Sequence, residues 1–133
     1  MTWRINREQG TDLDLDEVLG VYRSSGLGER RPIADTDRFR AMVRNANLIV
    51  TCRIGGTLVG IARSISDLSY VTYLSDIAVS LPHQRSGIGR ALIDATRKEA
   101  PQAKIVLLSA PAAAKYYPHI GFAAHDSAWV LNP

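Results

Sequence analysis

Apolar and polar positions change period several times along this chain, and the changes divide it into elements. Trp3-Arg4-Ile5-Asn6 alternates, as a short first strand does. Over residues 12–24, Leu15, Val18, Leu19 and Tyr22 form a stripe at helical spacing, and Gly26 and Gly28 close the segment. A second short helix is predicted over 36–44, with Phe39, Met42 and Val43 on one face and Asp35 or Thr36 as its N-cap. Residues 48–54 and 57–65 read as strands, and Gly55-Gly56 between them is a two-residue hairpin signal. Another strand follows over 71–79. A helix over 87–100 turns Ile88, Leu92 and Ala95 inward and stops at Pro101. Ile105-Val106-Leu107-Leu108 is a continuous apolar run, the pattern of a strand buried on both faces. A short helix over 112–117 and terminal strands over 122–124 and 128–131 complete the chain. The order β-α-α-β-β-β-α-β-α-β-β predicts an α/β fold: a mixed sheet with helices on both faces, one domain over 1–133.

Composition narrows the class. At 133 residues and 46% apolar, the chain can build one core. No run approaches the roughly 18 apolar residues of a membrane span, and the opening MTWRINREQG lacks the apolar stretch of a secretory signal. Cys52 is the single cysteine, so neither an internal disulfide nor a cysteine metal cluster is expected. A cytoplasmic protein without a metal follows, with Cys52 a buried thiol in the apolar segment 48–54. The net charge is +3, and both halves are mildly basic. No basic tail of the nucleic-acid type is present. The local excess lies over 83–98, where Arg85, Arg90, Arg97 and Lys98 face only Asp94. Such a cluster suits a compact polyanion.

That excess surrounds a motif. Gln84-Arg85-Ser86-Gly87-Ile88-Gly89 joins the strand over 71–79 to the helix behind it. Two glycines one residue apart at a helix mouth let a ligand approach bare backbone. The first helical N–H groups have no intrachain acceptor, and the positive end of the helix dipole favours an anion. The dinucleotide pattern Gly-x-Gly-x-x-Gly is not met, since Leu92 stands third. The mononucleotide loop is not met either, since Gly89 is followed by Arg90 and Ala91.

Gln/Arg-x-x-Gly-x-Gly after an apolar strand resembles the acyl-CoA signature of the GNAT superfamily of N-acetyltransferases. The strand Tyr73-Leu74-Ser75-Asp76-Ile77-Ala78-Val79 and the helix start Ala91-Leu92-Ile93 resemble that family too. So does Ala112–Phe122, read AAAKYYPHIGF. In the family a tyrosine four residues before a Gly-Phe pair points its hydroxyl at the sulfur of coenzyme A. Here Gly121-Phe122 is the pair and Tyr117 the tyrosine, while Tyr116 faces elsewhere because adjacent helical residues are about 100° apart. The resemblance implies a mostly antiparallel sheet, splayed at its centre between the strand ending near Val79 and the strand starting near Lys104.

It also implies roles. Backbone N–H groups of Arg85, Ser86, Gly87, Ile88 and Gly89, flanked by Gln84 and Arg90, would hold the pyrophosphate of acetyl-CoA. The exposed backbone of Ile77, Ala78 and Val79 would pair with the pantetheine arm. The N–H near Val79 would polarise the thioester carbonyl. Tyr117, with an ordinary pKa of about 10, would donate to a thiolate of about 8.5 or higher. A primary amine is mostly charged at neutral pH, so its proton needs an acceptor. Asp76 is the only carboxylate of the central strand. It is placed to take that proton, directly or through water, or to serve as a structural acid. The family binds its acceptor at the loop between the first two helices, here residues 24–32 with Arg30 and Arg31.

The function expected is acetyl transfer from acetyl-CoA to a primary amine of a small molecule, by direct attack on the thioester. The alternative is a catalytically silent acyl-CoA-binding regulatory domain. A small amine and a second copy of the chain fit as partners; nucleic acid and membrane do not.

Overall fold

Gly55 and Gly56 organise the sheet. Both have positive φ, +56° and +83°, the backbone that a tight hairpin between twisted strands requires. They join β2 (Leu48–Ile54) to β3 (Thr57–Ser66). β4 (Val71–Val79) pairs antiparallel with β3, and β1 (Arg4–Arg7) pairs antiparallel with β2. β5 (Lys104–Val106) runs parallel to β4 as the far edge, giving the order β1-β2-β3-β4-β5 in this computed structural model, which describes residues 2–133.

α1 (Leu15–Ser25) and α2 (Thr36–Asn45) cover one face. Asp14 caps α1 through the N–H groups of Asp16 and Glu17, Gly26 ends it in the left-handed region, and Asp35 caps α2 through Arg38. Val18, Tyr22, Phe39 and Val43 pack there with Ile49, Leu58, Ile61 and Ala78. α3 (Ile88–Glu99) covers the other face, with Ile88, Leu92 and Ile93 against Val50, Val59, Ala62 and Leu74. Cys52 is buried in that second core. No described helix is long and apolar enough to cross a membrane.

Two irregularities of β4 position the site. Arg63 pairs with Asp76 but Ser64 pairs with Leu74, so Ser75 is an extra residue on β4. This bulge switches the alternation of side chains. Leu74 packs with Ile77 and Val79 on the α3 side, whereas Ala78 lies on the α1/α2 side. Tyr73 and Asp76 therefore share the α1/α2 face. The second irregularity is the splay. The β4–β5 ladder holds only Val71–Tyr73 against Lys104–Val106, so residues 74–79 have no strand on that flank.

Three expectations are corrected. The run at 105–108 is not buried on both faces: Ile105 and Leu107 pack onto the α3-side core, but Val106 and Leu108 are about half exposed. The sheet ends at β5, and the α1/α2 core packs over β2, β3 and the end of β4 instead. The helix expected over 112–117 is split into a 3-10 turn at Pro111–Ala113 and α4 (Tyr116–His119). Residues 122–124 and 128–131 are not strands. Phe122 packs beside Tyr117, but the tail beyond it meets no sheet edge and lies open to solvent.

Candidate active site

The mouth of α3 is built from left-handed backbone. Gly87 caps the helix at φ +92°, and Arg85 sits at φ +61° although it has a side chain. Residues of this kind bracket Ser86 and gather successive N–H groups around one concavity, an arrangement that takes anions. Among the described residues, no acceptor takes the N–H groups of residues 85–90. The first turn of α3 holds no acidic side chain to offset the positive dipole end. Arg85 and Arg90 are exposed beside it, and Ile88 is buried, pinning the helix start to the core. Two polar side chains shape the turn. Ser86 Oγ donates to the His83 carbonyl, and Gln84 Nε2 donates to the Val79 carbonyl at 2.8 Å. Gln84 thus ties the turn to the end of β4.

That end of β4 opens onto the splay. Ser80 N–H donates to the Val59 carbonyl at 2.8 Å, so Ser80 and Ala78 face β3 with their backbone groups. Ile77 and Val79 turn theirs the opposite way, into the gap. Gln84 occupies the Val79 carbonyl, leaving the N–H groups of Ile77 and Val79 on the open flank. The structure therefore brings Ile77, Val79 and the turn 84–90 to one place, with Ala78 facing the other core.

Asp76 lies beside the α1/α2 core. Its side chain is wholly buried. One oxygen accepts from the Tyr22 hydroxyl at 2.6 Å and from Arg63 Nε at 2.6 Å. The other accepts from Arg31 Nε at 2.6 Å and from Ser75 Oγ at 3.2 Å. Burial pushes the carboxyl's pKa up, but Arg63, Tyr22 and Arg31 outweigh it and hold it below the usual carboxylate range. Of the two readings the sequence offers for Asp76, proton acceptor or structural acid, these contacts favour the second: the carboxylate is surrounded by donors that hold it ionised. Tyr22 is driven the other way, by burial and by the Asp76 charge, and stays protonated. The cluster of two guanidiniums and one carboxylate carries a surplus positive charge. Arg31 also donates to the Ser75 carbonyl at 2.9 Å, so the loop after α1 is clamped to the bulge. Sequence reasoning missed Arg63 and Tyr22. The available signal was one arginine and one aspartate in adjacent apolar strands, since buried charges need partners.

The tyrosines of α4 divide. Tyr117 is half-buried against the α3-side core, edge-on to Phe122 and to Tyr116 with ring centroids 5.4 Å apart in each case. Burial first, and then Tyr116, raise its pKa, so its hydroxyl is protonated at neutral pH. Tyr116 points toward the glycine turn. Its hydroxyl stands 3.7 Å from the point a Cβ on Gly89 would occupy.

Comparison with known proteins bears on this geometry. The chain matches several solved structures over nearly its whole length. A GNAT-family acetyltransferase from Streptococcus pneumoniae TIGR4 superposes with a TM-score of 0.76 at 17% identity, covering 99% of this chain and 100% of that one. A ribosomal-protein-alanine N-acetyltransferase from Brucella melitensis biovar Abortus 2308 gives 0.76 at 22% identity, over 99% of each chain. An aminoglycoside acetyltransferase from an uncultured soil metagenomic sample, in complex with sisomicin, gives 0.70 at 19% identity, over 98% and 95%. These likenesses are of fold. No curated protein matches the chain in sequence. The model of the acetyltransferase (GNAT) domain does match, from residue 18 to residue 132, and the chain belongs to that family.

Proposed function

We propose that the protein transfers an acetyl group from acetyl-CoA to a primary amine of a small molecule. One observation carries this: an anion-ready helix mouth at residues 85–90 opens directly onto the unpaired flank of β4. A pyrophosphate at the first and an extended pantetheine arm along the second would use both. N–H groups of residues 85–90 hold the phosphates, with Arg85 and Arg90 adding charge. The Ile77 and Val79 N–H groups bind the arm, and the latter polarises the thioester carbonyl. The neutral amine attacks that carbonyl carbon, the C–S bond breaks, and the Tyr117 hydroxyl gives its proton to the departing sulfur. The excess proton on nitrogen leaves through water, and Tyr117 regains one from solvent. Asp76 serves by position: with Arg31 and Arg63 it fixes the bulge and the acceptor loop.

The sisomicin-bound relative supports a small-molecule acceptor. The surplus positive charge of the Arg31–Asp76–Arg63 cluster favours one less cationic than an aminoglycoside. The buried lone thiol of Cys52 suits a reducing, cytoplasmic setting. A second reading, a silent acyl-CoA-binding domain, rests on the saturation of Asp76, which leaves the bulge without a free base. Thiol release from acetyl-CoA across a panel of amines separates the two. Release that depends on one class of amine supports transfer; acetyl-CoA binding with no release on any amine supports the silent domain.

A further inference from the structure

The Asp76 cluster adjoins a stretch of sheet that the helices leave bare. Asp76 places one negative charge between two guanidiniums, and among the described residues neither Arg31 nor Arg63 pairs with a second carboxylate. Arg63 is buried and spends Nε, Nη1 and Nη2 on Asp76, the Met42 carbonyl and Ser75 Oγ. Arg31 is reachable from solvent, its side chain being 24% exposed. A guanidinium has five N–H donors. Arg31 uses Nε on Asp76, Nη1 on the Arg30 carbonyl and Nη2 on the Ser75 carbonyl. One N–H on each terminal nitrogen is left over, a pair able to take both oxygens of a carboxylate. The surplus charge and the spare donors therefore fall on the same exposed side chain.

An apolar surface lies alongside. Tyr73 shares the sheet face of Asp76 and stands two residues before Ser75, about 7 Å along the strand. It pairs with Ile65 on one side and Val106 on the other, so the three side chains form one row across β3, β4 and β5. Tyr73 is 36% exposed, Val106 42% and Ile65 55%, and a contiguous bare apolar row of this kind marks a binding surface. Two residues beyond Ser75, Ile77 turns its N–H toward the gap proposed for the pantetheine arm. Apolar row, guanidinium and open backbone thus follow one another within about 13 Å of β4.

We infer that the acceptor is an amino acid with an apolar side chain. Its carboxylate sits on Arg31, its side chain lies on the Ile65–Tyr73–Val106 row, and its amine turns toward the gap. This inference rests on the acetyl-transfer reading and names its substrate class. The amine nitrogen bonds to the acetyl carbon as the C–S bond breaks, with protons moving as in that reading. The carboxylate is unchanged, and the products are an N-acetylamino acid and coenzyme A. A carboxylate offsets the surplus positive charge, whereas a polycationic acceptor would add to it.

Thiol release from acetyl-CoA with L-leucine, L-leucinamide and glycine tests the inference. Chemistry alone favours leucinamide, whose amine is the less basic. The site should reverse that order, with kcat/KM for leucine at least about tenfold above that for leucinamide. Leucine should also exceed glycine by about tenfold through its side chain. Arg31→Gln should bring the leucine-to-leucinamide ratio close to one, and Tyr73→Ser should do the same to the leucine-to-glycine ratio. Arg31→Gln also disturbs Asp76, but a loss of folded protein lowers both rates together and leaves their ratio in place. Leucinamide preferred over leucine, or a ratio that its substitution does not move, would overturn the inference and leave acetyl transfer standing. No release with any amine would overturn acetyl transfer and this inference with it. A dimer that Tyr73→Ser dissociates, with leucine no better than glycine, would give the row to a second copy and overturn the inference.

Discussion

Asp76→Asn separates a structural carboxylate from a chemical one. In the native protein its two oxygens take 2.6 Å bonds from Tyr22, Arg63 and Arg31. Asparagine keeps one oxygen and presents an NH₂ group to at least one guanidinium, donor against donor. Arg63 is buried and is left without its counter-charge. Breaking a buried ion pair by removing one partner costs about 3–5 kcal/mol. Arg31 is 24% exposed and water screens part of its share, so the lower end, about 3 kcal/mol, applies. With a urea dependence of about 1.5 kcal/mol per molar, the unfolding midpoint should fall by roughly 2 M at pH 7. The effect has a pH signature. The folded carboxyl has a depressed pKa, so its contribution is complete above the unfolded value near 4 and is lost as pH falls through the folded value. Wild type and variant should therefore converge in acid. Urea denaturation followed by circular dichroism from pH 7 downward measures both. The reasoning is refuted if Asp76→Asn unfolds at the wild-type midpoint while its amine acetylation falls at neutral pH and recovers at high pH. That outcome would make Asp76 the base.

The glycines of the turn should separate stability from binding. Gly87→Ala meets only Trp3 at 3.8 Å but forces a side chain to φ +92°, so it should lose about 1 kcal/mol in thermal unfolding. Gly89→Ala meets an ordinary 3.7 Å contact at normal φ, so its fold should hold within about 0.5 kcal/mol. It should nevertheless bind acetyl-CoA about tenfold more weakly by calorimetry, and wild-type affinity would take Gly89 out of the phosphate site. Tyr117→Phe should reduce kcat by up to about 10²-fold with acetyl-CoA affinity nearly unchanged. Tyr116→Phe, whose hydroxyl lies at the α3 mouth, should alter affinity more than rate; the reverse pattern would exchange the two roles. Tyr22 is held protonated, so stability should be complete below its unfolded value near pH 10 and fall as pH rises above it. Tyr22→Phe should abolish that alkaline limb.

What the sequence discloses here is local. The Gly55-Gly56 hairpin, the Asp35 cap of α2, the stop of α3 before Pro101 and the turn 84–89 each depend on residues within one or two turns of chain. The bulge at Ser75 does not, because it arises from the register between β3 and β4. A regular strand puts Tyr73 opposite Asp76, and the bulge puts them together. The partners of Asp76 are equally remote, Tyr22 lying 54 residues away and Arg31 lying 45. No local pattern pairs them, although an acid in an apolar strand demands a counter-charge somewhere. Helical phase sets the angle between Tyr116 and Tyr117, but not where α4 sits relative to α3, so the nearness of Tyr116 to Gly89 is not legible in the sequence. The pattern at 105–108 and 128–131 reads as strand, yet Val106, Leu108, Trp129, Val130 and Leu131 are exposed.

Hydrogen exchange of the free and acetyl-CoA-bound protein tests most directly where the acetyl donor lies. Bound as proposed, it should slow exchange of the backbone N–H groups at residues 85–90 and at Ile77 and Val79, groups that find no acceptor among the described residues. Protection confined to other residues, or none at saturating acetyl-CoA, would contradict the assignment of the α3 mouth and the β4 flank.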